Sequence, residues 1–227
     1  FIELDAMVVG IDNNSRSKFF GKEGSTDWQI RQLSKNKNYV HLDIDITDFE
    51  LINHTLTTWK PAVLVHAAAQ PSHDFAAQFP HLDFNTNALG TLNLLEACRK
   101  HAPEVNFILF STNKVYGDYV NNLEFTEMQS RFEFLGRFAQ VGVDEDLNID
   151  SSLHSLFGVS KLYADLIAQE YGRNFGMKTT ILRGGCLTGP GHSSVKQHGF
   201  LSFLVASALL HKPYNVLGFK GKQVRDN

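Results

Sequence analysis

The sequence has 227 residues, enough for one large domain or one and a half. Hydrophobic residues make up 43% and charged residues 20%, a globular balance that excludes a disordered or collagenous chain. Twenty-one basic residues against 24 acidic ones give a net charge of −3, which removes the electrostatic case for nucleic acid or an anionic membrane as partner. No apolar run is long enough to span a bilayer. Cys98 and Cys186 are far apart, so they make neither a disulfide framework nor a zinc spacing. A reducing compartment, the cytoplasm, is expected. No signal or transit peptide is read at the start, and Phe1 is not read as a natural first residue.

The opening residues 1–6 read as the tail of a helix, and 7–11 as a buried strand ended by Asp12-Asn13-Asn14. A helix is predicted over 26–33 with Ser25 or Thr26 as N-cap. Residues 39–44 alternate as a strand. Thr47 is expected to cap a helix reaching Trp59, before Pro61. A strand at 62–66 runs into a turn of small residues. A long helix over 82–101 precedes a strand at 105–110. Residues 117–151 form an irregular stretch too long for a plain connection. A helix over 154–175, a strand at 179–182, a helix over 198–211 and a short strand at 215–217 close the pattern.

Apolar strands alternating with amphipathic helices predict an α/β fold, a doubly wound parallel sheet covered on both faces. Ligands of such sheets lie outside the carboxyl ends of the strands. The informative positions are therefore Asp12, Asp45-Ile46, His66 to Gln70, Ser111 to Tyr116, and the run from Arg183.

Each of these positions has a functional and a plainer explanation. Asp12 can accept both hydroxyls of an adenosine ribose, which favours NAD over NADP; it can equally open an Asx-turn. Arg16 complicates that preference, because it can accommodate a 2′-phosphate. Three alanines at 67–69 allow close approach to the backbone, or simply pack a turn. His66 reads as a core histidine. Ser111 and Thr112 can hydrogen-bond a substrate oxygen that gains charge, or form an ST-turn. Phe157 and Lys161, four apart, share a helix face; Lys161 is a ribose-binding candidate there, or a solvated lysine. The glycine-rich run after Arg183 is no phosphate loop, because Pro190 stands where lysine is required. Arg183 and Arg225 are better phosphate partners, although Arg183 can also be an ion pair at a strand end.

Taken in order, these motifs resemble the extended short-chain dehydrogenase/reductase family. The carrying residues are Asp12-Asn13-Asn14-Ser15-Arg16, His66-Ala67-Ala68-Ala69-Gln70, the run 87–97 (Asn-Ala-Leu-Gly-Thr-Leu-Asn-Leu-Leu-Glu-Ala), the run 111–117 (Ser-Thr-Asn-Lys-Val-Tyr-Gly), Ser160-Lys161, and 221–226 (Gly-Lys-Gln-Val-Arg-Asp). The runs 111–117 and 221–226 are similar to the nucleotide-sugar epimerases of the CDP-paratose 2-epimerase subgroup. The resemblance implies a Rossmann-type NAD domain over 1–183 and the start of a sugar-nucleotide region over 184–227. It implies a tightly held NAD that takes a hydride from a sugar carbon and returns it on the other face. Asp12, Asn13 and Arg16 would then surround the adenosine ribose, and Asp45 and Ile46 the adenine. Ala67, Ala68, Gln70 and Asn87 would line the dinucleotide. Thr112 would bind the reacting hydroxyl, Lys161 the nicotinamide ribose, and Cys186 and Arg225 the nucleotide-diphospho-sugar substrate. Helices 82–101 and 154–175 would form a homodimer or homotetramer interface, with Leu92, Leu95 and Leu162 among the apolar residues available for core or interface.

Two departures from the family stand out. Its Gly-x-x-Gly-x-x-Gly turn and first strand precede the first strand read here, so the chain is expected to be a fragment with a strand missing between 7–11 and 62–66. Its catalytic Tyr-x-x-x-Lys reads Phe157-x-x-x-Lys161, which removes the phenol. His154 is the substitute base that this stretch suggests. The family's 4,6-dehydratases carry Asp-Glu after the threonine; Asn113 and Lys114 occupy those places here and cannot serve as an acid–base pair for expelling water. A non-catalytic binder of NAD or sugar nucleotide, and a reductase of the same family, remain as alternatives.

Overall fold

The structure is a computed structural model that describes residues 1–189, 191–192 and 199–214. In chain order, β1 (Val8–Ile11), α1 (Ser15–Phe20), α2 (Asp27–Leu33) and β2 (Tyr39–Leu42) come first. α3 (Phe49–Trp59) leads to β3 (Val63–His66). α4 (His73–Gln78) and α5 (Pro80–Phe84) pass through a π-helical turn, Asn85–Leu89, into α6 (Gly90–His101) and β4 (Asn106–Thr112). The irregular stretch holds an antiparallel hairpin, β5 (Phe125–Glu127) with β6 (Phe132–Phe134), and the single turn α7 (Phe138–Val141). α8 (Ser155–Phe175), β7 (Lys178–Gly184) and α9 (Phe200–Leu209) follow.

The parallel sheet exists in two pieces. β1 pairs with β2, in register from Val8–Tyr39 to Ile11–Leu42. β4 lies between β3 and β7, pairing with both in parallel. Among the described residues no strand joins β1 to β3. The gap falls where the resemblance placed a missing strand. Both facing edges, Val8 to Ile11 and Val63 to His66, line one cavity.

The main core lies on the β3–β4–β7 side. Phe107 and Leu109 of β4 are fully buried, packed with Ile52 and Leu56 of α3, Leu94, Leu95 and Cys98 of α6, and Ala164 and Ala168 of α8. α8 follows this packing: Phe157, Lys161, Ala164, Ala168 and Tyr171, spaced by three or four, face inward. Burial pushes the Cys98 thiol up to about 12, so that cysteine is inert packing.

Several local expectations change. Residues 1–6 are a 3-10 turn, Ile2–Leu4, closed by Asp5 in the left-handed region (φ 58°). Asp48, not Thr47, caps α3, its carboxylate accepting the Leu51 N–H at 3.1 Å. α1 and α4 are additional, each six residues long. The expected helix 82–101 is interrupted, because the π turn at Asn85–Leu89 adds a residue per turn and rotates Asn87 inward. Gly90, directly after it, lies so close to the Ile46 side chain that a Cβ would collide with it. The predicted strand at 215–217 lies outside the described residues.

Candidate functional site

The carboxyl ends of β1, β3, β4 and β7 converge on one cavity of about 1350 Å3. It collects Asp12, Asn13, Arg16, Asp45, Ile46, Ala67, Ala68, Thr112, Lys161 and Cys186. These come from separate stretches of sequence, brought together because the strands are parallel and end on the same side.

At one end, Asp12 terminates β1. Its Oδ1 accepts the Asn14 N–H at 2.6 Å, so the Asx-turn is real, and the carboxylate still lines the cavity. Asn13 Nδ2 donates to Asp45 Oδ2 at 2.9 Å, which ties the tip of β1 to the tip of β2. Arg16 sits beside them; burial lowers its pKa while the Asp12 charge raises it. This end is acidic and hydrogen-bonding.

At the other end, Lys161 projects from α8 and donates to the Phe110 carbonyl at 2.9 Å. Burial holds its ammonium down at about 8, with Asp165 and Asp83 opposing the shift. Thr112 ends β4, its Oγ1 accepting the Lys114 N–H at 3.2 Å. Phe157, one turn before Lys161, is buried against the His73 ring in an edge contact, 4.8 Å between centroids.

Behind this wall lies a buried polar network. Asn87 Oδ1 accepts the Gln70 N–H at 2.9 Å, and its Nδ2 meets Gln70 O, Asp83 Oδ1 and Ser160 Oγ within 3.1 Å. Gln70 Nε2 donates to Asp83 at 2.7 Å. Gln70 and Asn87, expected along the dinucleotide, are therefore fully engaged inside and do not reach the cavity. They hold the alanine turn and the π turn against α8. Thr91 Oγ1 donates to the Asn87 carbonyl at 2.6 Å, so His66 Nε2, 2.9 Å from that oxygen, is its donor. Burial and then the Lys161 charge push His66 down to about 3, which keeps the imidazole neutral.

Two further expectations move. His154 does not line the cavity: its Nδ1 lies 2.9 Å from the Ser152 carbonyl and its Nε2 2.9 Å from the Val115 carbonyl. α8 begins at Ser155, so His154 precedes the helix and does not share the face of Phe157. Arg183 is the ion pair, not a phosphate ligand. Its guanidinium grips Asp165 through Nε and Nη2 at 3.0 Å each, and its Nη1 meets Tyr116 Oη at 3.2 Å and the Glu145 carbonyl at 3.3 Å. Burial pushes Asp165 up, but the bonds from Arg183 and Ser111 outweigh it and hold its carboxyl below the usual range. Arg225 lies outside the described residues.

The whole chain, residues 1–227, matches the NAD dependent epimerase/dehydratase family. The chain belongs to that family. It is 32% identical to CDP-paratose 2-epimerase of Salmonella typhi over 224 residues, which is 96% of this chain and 62% of that protein. It is similar in fold to Pal from Bacillus thuringiensis, with a TM-score of 0.76 at 20% identity over 96% of this chain and 60% of that one. It is also similar to UDP-glucose 4-epimerase of Thermus thermophilus, whose structure is a complex with NAD. There the TM-score is 0.62 at 24% identity, over 91% of this chain and 64% of that one. The chain thus spans less than two thirds of each.

Membership of an NAD-dependent family makes NAD the cofactor, and the residues present fit both of its ends. The Asp12 carboxylate and Asn13 suit an adenosine ribose, while Thr112 and Lys161 suit the nicotinamide side. The small side chains of Ala67 and Ala68 leave room between them. Among the described residues no helix is long and apolar enough to cross a membrane, and no cluster of side chains is suited to a metal ion.

Sequence reading missed His73. Its signal was available: Gln70-Pro71-Ser72-His73 directly follows the alanine turn at a strand's carboxyl end. Ser72 caps α4 by accepting the Phe75 N–H at 3.2 Å, which makes His73 the first residue of that helix, on the cavity wall.

Proposed function

We propose that this chain is the cofactor-binding part of an NAD-dependent epimerase acting on a nucleotide-diphospho-sugar, of the kind named CDP-paratose 2-epimerase. The observation that carries the reading is that two chemistries line one cavity, Asp12 and Asp45 after β1 and β2, and Thr112 and Lys161 on β4 and α8. In this reading the first pair serves the adenosine and the second the reacting carbon. NAD supplies a reversible hydride acceptor. Thr112 donates to the oxygen of the reacting sugar carbon, and Lys161 holds the nicotinamide ribose while its charge favours a developing alkoxide. Cys186 lines the sugar side, and Arg225 holds the diphosphate. In this reading residues 1–183 serve the cofactor and 184–227 begin the substrate region. Asn113 and Lys114 carry no carboxyl, which speaks against water elimination as the chemistry.

Association is part of the proposal, and of the two roles open to Leu92, Leu95 and Leu162 the core is the one they take. Leu95 is buried, and Leu92 and Leu162 pack against the core clusters. Leu156, Val159 and Leu166 are exposed along one face of α8 at spacings of three and seven, near exposed Phe84, whose ring meets Tyr163 at 5.9 Å. Such a stripe suits a helix-to-helix homodimer.

The test uses the full protein that carries this chain. Its co-purifying ligand is identified by mass spectrometry, and CDP-, UDP- and dTDP-sugars are supplied in turn. Epimerised product with no net NADH supports the reading. Stoichiometric NADH release marks a reductase, and binding without turnover marks the non-catalytic alternative that Phe157 favours.

A further inference from the structure

We propose that Asp165 is the positioning residue of the reacting centre, its one carboxylate fixing where Thr112 and Lys161 stand relative to each other. The inference rests on the epimerase reading above. Hydride transfer requires the sugar oxygen and the nicotinamide ribose to be held in one geometry, and an error of about 1 Å costs roughly a hundredfold in rate. Yet Thr112 and Lys161 belong to different elements, the end of β4 and the first half of α8. Lys161 reaches β4 at the tip of its side chain, where it donates to the Phe110 carbonyl at 2.9 Å. A flexible four-carbon stem follows its helix and does not place it.

Asp165 supplies the placement. It lies on α8 one turn after Lys161 and is fully buried. Its Oδ2 accepts from Ser111 Oγ at 2.6 Å and from Arg183 Nε at 3.0 Å. Its Oδ1 accepts from Arg183 Nη2 at 3.0 Å and from Gln169 Nε2 at 2.7 Å. Ser111 stands between Phe110 and Thr112, and it is the register partner of Arg183 across β4 and β7. The carboxylate therefore holds both strands at one level, directly before Thr112, while Gln169 holds it from its own helix. α8 is thus pinned to β4 at two successive turns, by Lys161 at Phe110 and by Asp165 at Ser111.

The placement of this ion pair is more informative than its stability. A buried pair barely offsets its own desolvation, and apolar side chains of similar volume would pack α8 against β4 as well. Apolar packing does not supply direction, whereas a planar carboxylate gripped by a guanidinium fork does. Asp165 and Arg183 line a second cavity, of about 860 Å3, while Thr112 and Lys161 line the first. Asp165 therefore acts from behind the site, through Ser111 and through α8. Its charge works in the same direction: burial lowers the Lys161 ammonium, and Asp165, ahead of Asp83, opposes that.

The full holoprotein tests this with two variants. Asp165→Asn keeps the shape but offers the donors a single oxygen. Ser111→Ala removes one of the four bonds and leaves the ion pair. NAD content, KM for nucleotide sugar, kcat and the rate at which bound NAD is reduced are compared with wild type. Amide exchange at 110–112 reads the end of β4 without turnover. The expected result is NAD content and KM within about threefold of wild type, while kcat and the reduction rate fall about a hundredfold in Asp165→Asn and about tenfold in Ser111→Ala. Ser111→Thr, which keeps the hydroxyl, should retain most of the rate, and exchange at 110–112 should quicken in the other two. If Asp165→Asn does not fold, Ser111→Ala and Ser111→Thr decide. A kcat loss under about threefold in Ser111→Ala overturns the proposal. So does a fall in NAD content or a rise in KM in step with the loss of kcat, a Ser111→Thr as slow as Ser111→Ala, or unchanged exchange at the strand end. If wild type itself binds NAD yet neither reduces it nor epimerises any nucleotide sugar, the epimerase reading falls first and the proposal with it.

Discussion

The two pieces of the sheet differ sharply in packing, and the difference tracks how many edges of each strand are paired. In β4, every second residue (Phe107, Leu109, Ser111) is buried, because the strand has a partner on each edge and helices over it. In β1 and β2 no residue is fully buried, because β1 has one partner and turns its other edge to the cavity. The well-packed piece carries Thr112 and the helix of Lys161 and Phe157. The looser piece carries Asp12 and Asp45. The reacting end of the site thus rests on the densely packed piece, and the adenosine end on the piece whose edge is open where, among the described residues, no strand joins β1 to β3.

The largest effect that would sharpen this contrast is a pair of truncations. Phe107→Ala removes a fully buried ring and is expected to cost about 3–5 kcal/mol. Ile11→Ala, on the partly buried strand β1, is expected to cost about 1–2 kcal/mol. Urea unfolding of the full protein measures both. Equal losses would mean that the two pieces form one packed unit.

Lys161 comes next. Burial holds its ammonium down at about 8, against an ordinary 10.5. Between those values the unfolded chain binds the extra proton, so stability rises as pH rises through this window. The rise is on the order of 3 kcal/mol. Lys161→Met should abolish it, raise the melting temperature at pH 7, and weaken NAD binding by about 1–3 kcal/mol. A melting curve with the same alkaline rise in the variant would show that the lysine is not the buried cation responsible.

The rhythm of strand and helix was legible because apolar runs of four to seven residues alternate with longer amphipathic ones. α1 and α4 were not, since six-residue helices bury too few side chains to show a period. The π turn hid inside an amphipathic run whose composition gives no warning of it. Ten of the expected site residues share the cavity because strand ends in a parallel sheet must converge. The failures have one physical source. Whether a polar side chain faces a ligand or its own neighbours is decided by tertiary partners. Gln70 and Asn87 found theirs in each other, and His154 in two carbonyls brought in from Tyr116's neighbour Val115 and from Ser152. His73 was overlooked for the converse reason. The three residues between the alanine turn and α4 look like a plain connection until α8 packs against that helix.

Hydrogen exchange separates the two pieces more finely. Without cofactor, the β1 and β2 amides should exchange at least about tenfold faster than those of β4, because locally weak regions open more often. Saturating NAD should slow β1 and β2 selectively. If protection rises equally across β4 and β7, the cofactor is not ordering the looser piece.

The smallest expected effect concerns cofactor choice, and it is decided within that looser piece. The Asp12 carboxylate lines the cavity at the tip of β1, with the Arg16 guanidinium close enough for each charge to act on the other. A 2′-phosphate placed there would meet repulsion from Asp12 and attraction from Arg16. The carboxylate is fixed by the Asn14 N–H at 2.6 Å and stands at the end of a strand, whereas the arginine is drawn over the Phe20 ring, 5.3 Å from its centroid. Asp12 should therefore prevail, and the wild-type protein should prefer NAD. Asp12→Asn keeps the Asx-turn and removes only the charge. It should narrow the preference by about 1 kcal/mol, roughly fivefold, chiefly by strengthening NADP. Arg16→Ala should widen it. Titration of both cofactors into each variant reads the result. Equal NAD and NADP affinity in wild type would mean that Arg16, not Asp12, sets the local field.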